Sequence, residues 1–197
     1  GAFPQEGRSD PKYYRELKRR ADAIGSNFFL LMTGTVKCDA PNLEKQAAIF
    51  DQQVDFAELL GAKYVRVFLA APKKMERANA LKRSAAAMKP IADYALSKGI
   101  IIVIEPAPKQ YSGDGRFLAE LAKQMNHDSL RLMPDFGKMK NDDPYGGTIA
   151  MMPYSEVVSA KSHEFTKEGM SREFDYPRLM QSVIESGFKG IVAIEYE

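Results

Sequence analysis

The sequence predicts an α/β fold with a parallel sheet, of the (β/α)8 barrel type, and three observations carry that prediction. Apolar, β-branched runs begin near residues 26, 63, 100, 130, 156 and 190, and helical patterns fill most of the gaps. Strand and helix alternating at roughly 30-residue spacing is the signature of right-handed βαβ units. Four of the runs stop on a side chain that can bind a metal or move a proton: Glu105 in "GIIIVIEPAP", Asp135 in "LRLMPDFGK", His163 in "EVVSAKSHEF" and Glu195 in "GIVAIEYE". An open doubly wound sheet shares the alternation, but neither GxGxxG nor a phosphate-loop motif is present. Functional residues at the C-terminal ends of consecutive strands favour a barrel, where active sites lie at that face.

The elements follow in order. Residues 1–10 are polar and rich in Gly and Pro, and read as a tail. Ser9 or Asp10 can cap a helix with Pro11 at its first position, and Gly25 ends it. "SNFFLLMTGT" is a strand closed by Gly34. Leu43, Ala47, Phe50, Val54, Ala57 and Leu60 fall on one helical stripe that Gly61 stops. "AKYVRVFLA" is the next strand. A helix from about Met75 to Lys98 follows, which Pro90 should kink or split. After the Glu105 strand come "RFLAELAKQMN" as a helix, the Asp135 strand, a loop through "MKNDDPYGG" and a short helix near Ile149. The His163 strand is next, and Asp175 then caps "YPRLMQSVIES", closed by Gly187. Six strands are two short of a full barrel, so the expectation is a single domain over 1–197 that is an incomplete barrel. It would lack the first strand–helix–strand and the last helix.

Composition excludes several classes. The 28 Lys and Arg against 26 Asp and Glu give a net charge of +2, with no electrostatic footprint for nucleic acid or a membrane surface. No run is long enough to span a bilayer, and "GAFPQEGRSDPKYY" has no apolar core like that of a signal peptide. The single Cys38 rules out an internal disulfide and fits a reducing compartment, so the expected location is cytoplasmic. A homo-oligomer is compatible with the chain.

Side-chain alternation sorts the candidates. Val103 and Glu105 share a face, as do Met133 and Asp135, Ala193 and Glu195, and the series Ser159, Lys161 and His163. Converging faces would place two glutamates, an aspartate and a histidine at one mouth, an oxygen-rich setting for a divalent metal. Each has a plainer reading. Glu105 could end its strand in an ion pair, although burial there is costly without a partner. Asp135 could form a turn. Glu197 shares the parity of Glu195 but reads as a solvated chain end, and His127 as an exposed turn residue. Lys161 could bind a substrate oxygen or polarise a carbonyl, or pair with Glu105 or Asp135.

"AELLGAKYVRVF", "IEPAP", "SGDGRFLAEL", "LMPDFGKM", "MPYSEVVSAKSHEF" and "FDYPRLMQSVIESGFKGIVAIEYE", in that order and spacing, resemble the xylose-isomerase-like TIM barrels of the sugar phosphate isomerase/epimerase kind. The likeness covers nearly the whole chain. It implies a divalent ion, Mn²⁺ or Mg²⁺ with Zn²⁺ as an alternative, held by Glu105, Asp135, a residue of "SAKSHEF" and Glu195. His163 is the histidine of that segment. The resemblance also implies a small sugar or polyol as the partner, and that Glu105 and Glu195 form an acid/base pair moving a proton next to a carbonyl. Lys161 is a catalytic candidate from its inward parity alone. Three departures stand out. "PAP" follows Glu105 where many members have a His, and Lys138 stands where many have Asn or His. The common HxK pattern would put Ser159 rather than His163 in the third ligand slot. An inosose-dehydratase-like lyase would use the same groups, and a degenerate barrel would bind a sugar without turnover. An endonuclease IV-like repair enzyme is disfavoured by two histidines and the lack of basic excess.

Overall fold

The computed structural model describes residues 9–139 and 143–196. Residues 1–8 of the tail expected over 1–10, loop residues 140–142 and Glu197 lie outside the described residues. Helix α1 spans Pro11–Ala23, with Asp10 as the cap that accepts from the Lys12 amide at 2.8 Å. Strand β1 is Leu30–Lys37, α2 Leu43–Leu60, β2 Tyr64–Ala70, α3 Arg77–Ser97 and β3 Ile101–Glu105. Then come α4 (Gly115–Met125), β4 (Leu130–Leu132), α5 (Pro144–Met151), β5 (Val157–Ser162), α6 (Tyr176–Glu185) and β6 (Ile191–Tyr196). Among the described residues no helix is long and apolar enough to cross a membrane.

Every strand pairing is parallel and in chain order. β1 to β4 form one sheet and β5 pairs with β6. Bridges from Leu132 to Ser155 and from Asp135 to Ser159 continue the order from β4 to β5. The expected parallel arc of six strands is therefore present, with helices on its outer side. Val65, Val67, Leu69, Ile102, Ile104, Leu130 and Leu132 point outward from the strands. They join the main core with Phe50, Val54, Phe56, Met88, Ile91, Phe117 and Leu121 of the helices.

The inner face has two layers. At the N-terminal end Leu30, Tyr64, Ile101, Val103, Met133 and Val157 fill the lumen as an apolar plug. One residue pair further along each strand, the inner face becomes charged. The sequence therefore switches from filling the barrel to furnishing it within a single strand, as parity predicts.

Two local expectations are corrected. β1 does not stop at Gly34; it passes through a register shift between Met32 and Thr35 and continues to Lys37. Such a bulge absorbs a residue without ending the strand. Pro90 does not split α3, which runs as one helix of 21 residues. Pro90 and Ala86, whose carbonyl loses its donor, are both exposed residues, so the freed group lies on the side of the helix open to solvent and the proline is tolerated.

The contact of α4 with α5 depends on a glycine at 115 and not on the glycine it faces at 147. A Cβ on Gly115 would sit 2.6 Å from the carbonyl carbon of Gly147, inside the backbone of α5. A Cβ on Gly147 would meet only ordinary contacts, the nearest being the Met139 sulfur at 3.4 Å. Gly115→Ala is accordingly expected to cost about 1–3 kcal/mol or more through overpacking. Gly147→Ala is expected to be neutral or to stabilise by up to about 1 kcal/mol through helix propensity. Urea unfolding of the two variants checks the contrast, and equal effects would contradict the packing described.

Candidate active site at the C-terminal mouth of the strands

Four neighbouring strands bring the carboxylates together. Glu105 ends β3, Asp135 follows β4, Ser159 and Lys161 lie on β5, and Glu195 lies on β6. Register fixes this: Asp135 is opposite Ser159, and Lys161 is opposite Glu195. Glu105, Asp135, Ser159 and Lys161 are all 3% exposed or less. Buried charge of this density requires partners, and each carboxylate has them.

Glu195 is held by β5. Ser159 donates its hydroxyl to Glu195 Oε2 at 3.0 Å, and Lys161 donates its ammonium to Oε1 at 2.9 Å. Burial pushes Glu195 up, but these two donors outweigh it and keep the carboxyl below its ordinary value, so it is ionised at neutral pH. Asp135 Oδ1 accepts from the Gly137 amide at 2.8 Å, the turn geometry its "DFG" sequence favours. Glu105 Oε2 lies 2.9 Å from Arg66 Nε. Arg66 also donates to the Thr33 carbonyl at 2.9 Å and lies 4.2 Å over the Phe68 ring.

Glu105 and Asp135 face each other. Glu105 Oε2 and Asp135 Oδ2 are both buried without an aligned hydrogen-bond donor from elsewhere in the protein. Arg66 approaches Glu105 to 2.9 Å without an aligned hydrogen bond, a contact that becomes an ion pair when Glu105 ionises. Two such oxygens coexist when one carboxyl carries a proton and gives it to the other. Burial pushes Glu105 up to about 8, with Arg66 pulling it down and Asp135 pushing it further up. Burial also raises Asp135, while hydrogen bonds from Glu105, Ser159 and the Gly137 amide lower it. Both carboxyls are pushed up by burial, Glu105 to about 8, so at neutral pH the pair holds a shared proton on the Glu105 side.

His163 shares the mouth without joining the carboxylates in a ligand set. Its Nε2 comes within 3.1 Å of the point a Gly137 side chain would take, where Asp135 Oδ1 comes within 3.4 Å, and it is 3.9 Å from Glu173 Oε2. His127 is a turn residue, with Nε2 3.1 Å from Asp93 Oδ1. Among the described residues no group of three or more His, Cys, Asp and Glu side chains is arranged to hold a metal ion. The donor chemistry agrees. At this mouth the two oxygens without donors belong to Glu105 and Asp135, both oxygens of Glu195 are engaged, and a serine stands in the register position opposite Asp135. A manganese or magnesium ion takes about six oxygen ligands, several of them from water, but it needs carboxylate oxygens not already committed to a cation or a proton. The residues present do not fit the expected divalent ion, and no step is assigned to one.

Sequence reasoning misses Arg66 and treats Lys138 as a mere departure. A charge in the middle of the apolar run "YVRVF" is the available signal. Lys138 lies 5.2 Å over Phe68 and lowers both Glu105 and Glu195. A cavity of about 340 Å³ opens here, lined by Thr35, Phe68, Ala70, Ala107, Pro108, Gln110 and Lys138. A larger depression of about 720 Å³, around Lys63, Tyr64 and Glu156, lies at the opposite, N-terminal end of the strands and away from the carboxylates.

The raised Glu105 sets a pH dependence. The folded state keeps the Glu105 proton up to about 8, whereas an ordinary glutamate loses it near 4.5. Between those values the folded state binds more protons, so this contribution is full below about 4.5 and is lost as pH rises through about 8. Glu105→Gln removes the titration. Thermal melts are expected to show the variant gaining on wild type steadily from pH 5 to pH 9. Parallel melting profiles would contradict the assignment.

The chain's relatives share this architecture. It is similar to 3-keto-D-glucoside 4-epimerase YcjR from E. coli, at 12% identity and a TM-score of 0.74 over 95% of this chain and 77% of that one. An L-ribulose 3-epimerase matches at 15% identity and a TM-score of 0.77, over 93% of this chain and 66% of the other. The IOLI protein with a bound zinc atom matches at 18% identity and a TM-score of 0.74, over 94% and 74%. At these identities the likeness is one of fold. No curated protein matches the sequence. The model of one family spans residues 3–197, nearly the whole of the parallel arc and its mouth, and by that match the chain belongs to the xylose isomerase-like TIM barrel family.

Proposed function

We propose that the protein is a sugar or cyclitol isomerase or epimerase that moves a proton next to a carbonyl, with Glu105 and Glu195 as its acid/base pair. One observation carries this reading: two glutamates at one mouth have environments that push their proton affinities in opposite directions. Glu195 is held ionised by Lys161 and Ser159, and Glu105 is held protonated by burial against Asp135. Opposed environments of this kind mark which carboxyl is base and which is acid. The neighbouring epimerases act, by their names, on keto-sugars, which supports the substrate class.

The chemistry balances on the chain's own groups. The Glu195 carboxylate takes the proton from the carbon beside the substrate carbonyl, and the electron pair of that bond moves onto the carbonyl oxygen. The Lys161 ammonium, 2.9 Å from Glu195, is placed to hydrogen-bond the oxygen as it gains charge. Glu105 returns a proton to carbon, from the opposite face for epimerisation or at the adjacent carbon for isomerisation. Glu195 ends protonated and Glu105 ionised, and solvent resets both. The 340 Å³ cavity is of small-ligand size, and Thr35, Gln110 and Lys138 supply polar groups suited to hydroxyls.

Deuterium incorporation from D₂O, followed by NMR over a panel of ketoses and 3-keto-glucosides, tests the reading whatever the product turns out to be. Wild type is expected to exchange the proton beside the carbonyl of at least one of these. Glu105→Gln and Glu195→Gln are each expected to slow turnover by about 10²–10⁴-fold, the usual cost of losing general acid–base catalysis. Wild-type rates in both variants, or no exchange with any substrate, would overturn it.

A further inference from the structure

The mouth holds three carboxylates and three cations. Arg66 lies 2.9 Å from Glu105, Lys161 lies 2.9 Å from Glu195, and the charge of Lys138 acts on both glutamates. Arg66 also feels Glu195 and Asp135, and Lys161 feels Asp135, so the six groups form one electrostatic unit rather than separate pairs. Arg66 and Lys161 are buried like Glu105 and Asp135, at 7% and 3% exposure, whereas the Glu195 side chain is about a third exposed, so it is the Glu105 side of the mouth that acts through little water.

We infer that Arg66, Lys161 and Lys138 together supply the positive charge at this mouth, making it a metal-independent variant of the carboxylate site in which Lys161 is the electrophile for the substrate oxygen. The inference rests on the acid/base reading above and deepens it. Geometry carries it. An ion bound to the free oxygens of Glu105 and Asp135 would lie beside the Arg66 guanidinium. One bound to Glu195 would have to displace the Lys161 ammonium and the Ser159 hydroxyl. Ser159 offers no neutral nitrogen ligand, and its hydroxyl is already pointed at Glu195. With one proton held by the Glu105–Asp135 pair, the three cations already exceed the two ionised carboxylates by one charge, and a divalent ion would raise that excess to three, which like-charge repulsion disfavours.

Arg66 and Lys161 have different tasks in this arrangement. Arg66 is a positioning residue: it is anchored to the Thr33 carbonyl and braced on Phe68, and it orients Glu105. Lys161 sits on β5 between Glu195 and Asp135, where its ammonium can leave part of its bonding for a substrate oxygen without moving its backbone.

The test uses Mn²⁺ alone as the probe. After EDTA treatment and dialysis, wild-type protein titrated with MnCl₂ and read by electron paramagnetic resonance is expected to show no saturable site up to about 1 mM, a standard free energy of binding weaker than about −4 kcal/mol. Lys161→Met removes one cation and frees Glu195 Oε1, and Ser159→His with Lys161→Met adds a nitrogen ligand. At least one of these variants is expected to bind Mn²⁺ tenfold or more tightly than wild type. One equivalent of Mn²⁺ bound to wild type at micromolar affinity would overturn the inference, as would no gain in either variant. Deuterium exchange run with EDTA and with added MnCl₂ separates the two readings. Exchange that appears only with Mn²⁺ removes the metal-independent site and leaves the acid/base pair in place. Exchange under neither condition removes the acid/base reading and leaves the Mn²⁺ titration to be judged separately.

Discussion

Buried negative charge is the constraint around which this molecule is arranged. Three carboxylates converge where four parallel strands end, two of them fully buried and Glu195 partly exposed, above an apolar plug of the inner face. Left alone, such a cluster would drive apart or take up protons. The protein does some of each. Glu105 keeps a proton and lends it to Asp135, whereas Glu195 is neutralised by Lys161 and Arg66 braces the Glu105 side. The same balance explains how a protonated and an ionised carboxyl can coexist within one small mouth.

The fold is legible because periodicity reports on burial. Runs such as "IIIVIE" and "EVVSAKS" alternate faces, and parity alone places Glu105, Asp135, Lys161 and Glu195 on the inner side, where they are found. β1 reads short because Gly34 looks like a stop, and sequence does not reveal that a bulge can absorb it. Pro90 reads as a break because its missing donor is visible in sequence. The exposure of the freed Ala86 carbonyl, which makes the proline tolerable, is a tertiary fact.

The site is less legible than the fold, for a physical reason. A set of ligands can be drawn from residue types, but what a carboxylate does depends on what neutralises it. Arg66 belongs to a strand remote in sequence from Glu105 and reaches it only through the β2–β3 register. Ser159 and Lys161 become informative once the register places one opposite Asp135 and the other opposite Glu195. His163, with the strongest ligand chemistry in its segment, lies one step beyond them, at the rim near Glu173.

The Arg66–Glu105 contact is the part of this balance that a stability measurement reaches most directly. The decisive measurement is a double-mutant cycle in urea at pH 9, comparing Arg66→Met, Glu105→Gln and the double variant with wild type. The account predicts that Arg66→Met alone costs about 3–5 kcal/mol, because it strands a buried carboxylate. The double variant should recover part of that loss, with an interaction energy of about 0.5–3 kcal/mol. Two effects that add to within about 0.5 kcal/mol would show that Arg66 and Glu105 do not support each other, and would contradict the account.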